Sequence, residues 1–181
     1  MNRAVRRFAA AGAAVTAVTA LGLGAAAWAA PPASAAPSAV IPRCSSGQLA
    51  VWVNIDSANG AAGSIYYNLD FTNTSGTTCH LYGYPGVTAV GSNGGQLGDA
   101  AARNSAAPAS YVSIPADGSA HAILRYVDVV ATSSDCKPVS AAFLKVLPPG
   151  DTGARHAFFD LPSCTAKGYT YLQIERVQPG A

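Results

Sequence analysis

Three histidines, four cysteines and a few strand-borne aromatics are the residues of this chain whose types could do chemistry. His80, His121 and His156 are its only histidines. Imidazole serves as metal ligand or general base, but metal sites readable from sequence place their ligands at short, fixed spacings. None of the three has a second His, a Cys or a carboxylate at such spacing, so they read as surface or strand-face residues and no metal or cofactor is expected. The nucleophile elbow G-x-S-x-G is absent. Ser, His and Asp are dispersed, and nothing local marks a triad. Glu175 is the only glutamate, so paired carboxylates for glycoside chemistry are equally unmarked. The expected catalytic set is therefore empty, and the chain reads as a non-enzymatic module. The alternative is a small secreted hydrolase or inhibitor.

Binding chemistry is better represented. Trp52, Tyr66 and Tyr82, with Tyr84 nearby, offer flat amphipathic surfaces suited to an extracellular protein, peptide or glycan partner. The competing expectation is structural: Tyr84 plugs a corner while Trp52 and Tyr66 pack on the second face of a sheet. Trp52, Tyr66 and Tyr82 are the candidate binding residues. Asn73-Thr74-Ser75 matches a glycosylation sequon, but its place in a turn gives it turn chemistry instead.

Cys44, Cys79, Cys136 and Cys164 form an even set, which outside the cytoplasm reads as disulfides. Four cysteines allow three pairings. The pairing favoured joins neighbours in order, Cys44 with Cys79 and Cys136 with Cys164. Loops of about 35 and 28 residues would each contribute roughly 3.5–4 kcal/mol in the chain-entropy account.

The beginning of the chain supplies the oxidising compartment. Arg3, Arg6 and Arg7 precede an apolar, Ala/Gly-rich run, and Ala33-Ser34-Ala35 fits a small-residue cleavage site. Residues 1–35 are therefore expected to be a signal peptide. Arg6-Arg7-Phe8 opens like a twin-arginine signal, but the residues after it do not continue the pattern, and general secretion is the expectation. Cleavage removes three of the 11 basic residues and leaves eight against nine acids, a net charge of −1. No basic patch remains to hold nucleic acid. No later run is long enough to span a bilayer. A secreted monomer, free or associated with the cell wall, is expected.

Residues 36–43 read as a flexible Ala/Pro/Ser lead-in. Residues 44–178 read as one disulfide-stapled domain of strands. Leu49, Val51, Val53 and Ile55 alternate with Ala50, Trp52 and Asn54, and Ser57 to Gly63 reads as a loop. Ile65, Tyr67, Leu69 and Phe71 face one way. Asn73 to Gly76 turns the chain, and Gly83-Tyr84-Pro85-Gly86 ends the next strand, with Tyr84–Pro85 a candidate cis bond. Gly91 to Gly95 is a hairpin turn, with Gln96 to Arg103 returning as partner. His121 to Val130 is apolar on both faces, which predicts a central, buried strand. Ala142, Leu144 and Val146 are expected on one face of a later strand, and Leu172 and Ile174 point inward in the last. Eight or nine short strands and no helix predict an all-β, antiparallel, immunoglobulin-like β-sandwich.

The stretch Leu69-Asp70-Phe71-Thr72-Asn73 through Cys79-His80-Leu81-Tyr82-Gly83-Tyr84-Pro85-Gly86-Val87 resembles the signature of an actinobacterial secreted domain of unknown function, family 4232. Ile114-Pro115-Ala116-Asp117-Gly118-Ser119-Ala120 resembles that family's second signature, with Asp117 where a glycine often stands. Cys136-Lys137-Pro138 and Cys164 fit its later cysteines, and the resemblance spans about Cys44 to Val177. It implies a secreted or cell-surface β-sandwich and carries no activity with it.

Overall fold

The computed structural model describes residues 40–61, 63–128, 136–165 and 168–180. The expected signal peptide, and the lead-in before Val40, lie outside these residues. The described chain holds eleven strands and a single 3-10 turn, Ser46–Gln48. The strands are β1 (Leu49–Ala61), β2 (Ser64–Asn73), β3 (Cys79–Tyr82), β4 (Gly86–Val90), β5 (Gln96–Leu97), β6 (Ala102–Arg103), β7 (Tyr111–Ile114), β8 (Ser119–Val127), β9 (Pro138–Leu147), β10 (Arg155–Cys164) and β11 (Leu172–Pro179). They form a five-stranded sheet in the order β1-β2-β8-β11-β6, a four-stranded sheet in the order β10-β9-β4-β5, and a ribbon of β3 with β7. All pairings between strands are antiparallel except β11 with β6. The count exceeds the eight or nine expected, in part because the single return expected over Gln96 to Arg103 is two separate two-residue strands, β5 and β6.

One apolar cluster joins the inner faces of all three sheets, through Phe71 and Leu124, Leu144 and Val146, and Leu81 and Ile114. Both disulfides pair neighbours in order: Cys44 with Cys79 and Cys136 with Cys164. The first ties the chain entering β1 to the ribbon, and the second ties the start of β9 to the end of β10. Alternation holds best in β8, where Ala120, Ala122, Leu124 and Tyr126 are buried. That strand is central, between β2 and β11, but only one of its faces is buried; Ile123, Arg125 and Val127 are half-covered. Apolar residues on its outer face had made the sequence look buried on both sides.

Irregularities account for the other departures. The Gly-rich stretch expected as a loop extends β1 to Ala61, with a register shift between Asn54 and Asn59. There the Ser57 hydroxyl donates to Asn54 O (2.6 Å) and accepts from Asn68 N–H (2.8 Å), standing in for a ladder bond. The shift leaves Ile55 exposed rather than inward. In β9, Ala141 is buried and Ala142 exposed, opposite the register shift between Phe158 and Leu161 of β10. Gln96 to Arg103 is not one returning strand. It leaves the four-stranded sheet at Gly98 and joins β11 in the other sheet. The Tyr84–Pro85 bond is trans; no described peptide bond is cis.

Asp151 fastens the segment before β10 to the turn before β1. Its carboxylate accepts from Gly153 N–H (3.0 Å), Thr152 N–H and Ser46 N–H. These bonds hold its pKa down at about 2, with the Gly153 and Ser46 amides the main causes. A lowered folded-state pKa gives stability that is present above the ordinary carboxylate value and lost as pH falls through the folded one. The unfolding midpoint should therefore drop between about pH 4 and pH 2, and Asp151→Asn should flatten that limb. An unchanged acid limb in equilibrium unfolding would refute the role.

Candidate functional site

The three aromatics singled out by sequence do not converge. Trp52 lies opposite Asp70, which lies opposite His121, so all three occupy one row across the outer face of the five-stranded sheet. Tyr66 shares that face, opposite Arg125. It stands four residues along β2 from Asp70, about 13 Å at strand rise. Tyr82 is on the β3–β7 ribbon, a different surface.

The Trp52 row holds a buried carboxylate. Asp70 is 1 % exposed although it faces outward, and its Oδ1 has no hydrogen-bond partner. Desolvation raises its pKa, opposed by the Asn54 side chain and by the charge of His121. Burying an under-paired carboxylate costs stability at neutral pH. Asp70→Asn should stabilise the fold by about 1 kcal/mol at pH 7. A raised folded-state pKa means that the native carboxyl's deficit grows as pH rises and vanishes below the ordinary carboxylate value. The gain should thus fade below about pH 4. A destabilised variant at pH 7, by urea titration, would overturn this account.

The ribbon carries the more accessible arrangement. Cys79, Leu81, Val112 and Ile114 bury its inner face. Alternation then turns His80, Tyr82, Tyr111 and Ser113 outward. Tyr82 pairs directly with Tyr111, and His80 with Ser113. The rings form a continuous row: His80 to Tyr111 at 5.0 Å, nearly edge to face, and Tyr111 to Tyr82 at 4.7 Å. Tyr111 is 73 % exposed and Tyr82 45 %, so the row is not core packing. Beside it, a groove of about 510 Å³ is lined by Val40, Ile41, His80, Tyr111 and Ser113, none of them an acid, Lys or Arg.

Several local devices fix this row. The Cys44–Cys79 disulfide pins one end of β3. Arg43 forms a parallel bridge with His80, so Pro42 to Cys44 runs alongside β3 rather than free of it. His80 Nδ1 lies 3.0 Å from Ile41 O. A carbonyl only accepts, so Nδ1 carries the proton and Nε2 is left as the acceptor of the neutral ring. At the far end, Gly83 takes φ 111° and its carbonyl accepts from Val177 N–H of β11. Tyr84 donates its hydroxyl to Ala107 O (2.8 Å).

The residues lining this groove form no catalytic chain: no hydrogen bond joins Ser113 to His80, and no carboxylate lines the groove. His80, His121 and His156 sit on β3, β8 and β10, in three different sheets. Among the described residues no three His, Cys, Asp or Glu side chains gather as metal ligands. Nor is any described helix long and apolar enough to cross a membrane. Of this row the sequence singles out Tyr82 as a binding candidate and His80 as a surface or strand-face histidine, but not Tyr111. Tyr111-Val112-Ser113 does alternate, and that alternation was the one available sign that Tyr111 faces out.

Against known families, residues 44–178 match the model described as "Domain of unknown function (DUF4232)". No curated protein and no solved structure matches the chain.

Proposed function

This chain belongs to the DUF4232 family, and from that premise we propose that it is an extracytoplasmic, non-enzymatic binding module whose ligand surface is the His80–Tyr111–Tyr82 row. Two sheets and a ribbon around one core support an immunoglobulin-like β-sandwich as its frame. Two disulfides and an export-type leader support a secreted or wall-associated protein, with actinobacterial origin resting on the sequence resemblance alone. The single observation that carries the binding role is the row of exposed rings beside an uncharged groove. Exposed tyrosines held by a disulfide-pinned ribbon present contact area at little entropic cost.

Arrays of uncharged oligosaccharides and peptides probed with the exported protein test this. Binding should fall at least tenfold in Tyr111→Ala, the loss typical of an anchoring aromatic. Circular dichroism and thermal midpoint should stay close to wild type, since the side chain is exposed. Array binding that survives Tyr111→Ala would sink the proposal. Amino-terminal sequencing of protein from culture medium should begin at Ala36; an intact leader would refute secretion by cleavage.

A hydrolase is the second reading, favoured by His80 standing directly opposite Ser113 in the groove. Its signature would be turnover of a generic ester or peptide substrate that Ser113→Ala abolishes.

A further inference from the structure

We infer that the outer edge of β7 is a strand-addition site for an extended, uncharged peptide, a reading that rests on the binding role of the aromatic row. The main-chain hydrogen bonds carry it. His80 N–H donates to Pro42 O, and Cys44 N–H donates to His80 O, both at 2.9 Å. Both main-chain groups of His80 therefore face residues 42–44. Polar groups of successive strand residues point to opposite sides, so those of Cys79 and Leu81 face β7. In the antiparallel register these meet Ile114 and Val112. The N–H and C=O groups of Tyr111 and Ser113 consequently point away from β3.

Among the described residues nothing meets them. Among the described strands only β3 pairs with β7, and no other described residue hydrogen-bonds to the main chain of Tyr111 or Ser113. Both residues are exposed. Proteins commonly blunt an open edge with Lys, Pro or a bulge. The strand here is Tyr-Val-Ser-Ile, with none of these. An edge with a two-residue repeat of free donors and acceptors is complementary to one chemistry, the main chain of another extended segment.

The same geometry places the peptide's side chains. A strand added at β7 has alternate residues on the outward face, next to Tyr111 and Ser113 and hence against the ring row. Tyr111 and Ser113 also line the groove over the ribbon, and no acid, Lys or Arg lines it with them. The occupant is therefore an uncharged segment with aromatic or β-branched residues at alternate positions. A four-residue edge pairs about four residues of it.

The test uses an array of uncharged octapeptides alternating aromatic or β-branched residues with Ser or Thr, beside an oligosaccharide array. The protein probes are wild type, Tyr111→Ala and Ser113→Pro. Proline at 113 deletes an outward N–H and leaves the β3 ladder intact, so the variant should fold. A subset of peptides should bind wild type and bind Ser113→Pro at least tenfold more weakly. The same peptides N-methylated on alternate main-chain nitrogens should lose binding to unaltered protein, which keeps the test independent of variant folding. Equal binding by Ser113→Pro and of N-methylated peptides would overturn strand addition. Oligosaccharide binding lost in Tyr111→Ala, with no peptide bound, would overturn it while leaving the aromatic row as a binding surface. No binding on either array would overturn both readings. A concentration-dependent dimer in sedimentation that Ser113→Pro dissolves would assign the edge to a second copy and overturn the peptide.

Discussion

Asn73→Asp is expected to destabilise the fold by about 3–5 kcal/mol, the scale of an uncompensated buried charge. Asn73 is fully buried at the end of β2. Its Nδ2 donates to Thr77 O at 2.8 Å and to Ile114 O and Pro115 O at 3.1 Å each. Its Oδ1 accepts from Ser75 N–H at 3.0 Å and from the Ser75 hydroxyl at 2.6 Å. Its main chain pairs with the turn between β7 and β8, through Gly118 O and Asp117 N–H. One side chain thus closes the β2–β3 turn and fastens it to the end of β7. An aspartate keeps the acceptor side and turns its second oxygen on three carbonyls. Asn73→Ala should cost less, about 2–4 kcal/mol, because it strands the acceptors without adding charge. For a domain of this size the aspartate variant should lower the thermal midpoint by roughly 10 °C. Urea unfolding with the disulfides intact measures both. A loss below about 1 kcal/mol in Asn73→Asp, the scale of a single ordinary hydrogen bond, would show that this network does not hold the turn. The same bonds explain why the sequon at Asn73 serves the turn: the amide nitrogen that would carry a glycan is buried and engaged.

Gly98→Ala should be comparably damaging, at about 2–5 kcal/mol from left-handed strain and overpacking together. Gly98 has φ 63°, and an added Cβ would overlap the ring edge of Tyr171 and lie 2.9 Å from Tyr169 O. Tyr171 cannot yield. It is 1 % exposed, it donates its hydroxyl to Leu97 O at 2.8 Å, and burial pushes its pKa up. Gly98 is also where the chain passes from β5 in one sheet to β6 in the other, with Asp99 N–H donating to Tyr169 O. Gly94→Ala is the informative control: it too has positive φ (78°), but nothing lies within 4 Å of its added Cβ. Equal losses in the two variants would mean that backbone strain alone acts at Gly98 and the ring contact contributes nothing.

Asp117 marks where the family resemblance met a physical reason. It is the one non-glycine residue among those described with positive φ, 58°. Left-handed backbone is where glycine is cheapest and Asp or Asn tolerable. The glycine of the signature that this stretch resembles and the aspartate here would answer the same backbone demand.

Local patterns in the sequence determine much of this protein. Alternation in β2 and β11 identified the faces of Leu69 and Phe71 and of Leu172 and Ile174, because a strand's period of two is a property of its own residues. Asn73 to Gly76 and Gly91 to Gly95 announced their turns because turn chemistry is equally local. The order of the cysteines was enough to favour the two bonds that formed. What the sequence could not hold is anything set by lateral neighbours. The bulges in β1 and β10 shift Ile55 and Ala142 outward because a register belongs to two strands, not one. The passage of the chain between sheets at Gly98 depends on the Tyr171 ring, remote in sequence. Trp52, Tyr66 and Tyr82 all face outward, as alternation required, yet the placement of β2 and β3 in separate sheets divides them. The same placement brings Tyr111, distant in sequence, between His80 and Tyr82, and leaves the outer edge of β7 open. Which residues face out was written in the strands; which of them stand together was decided by how the strands pair.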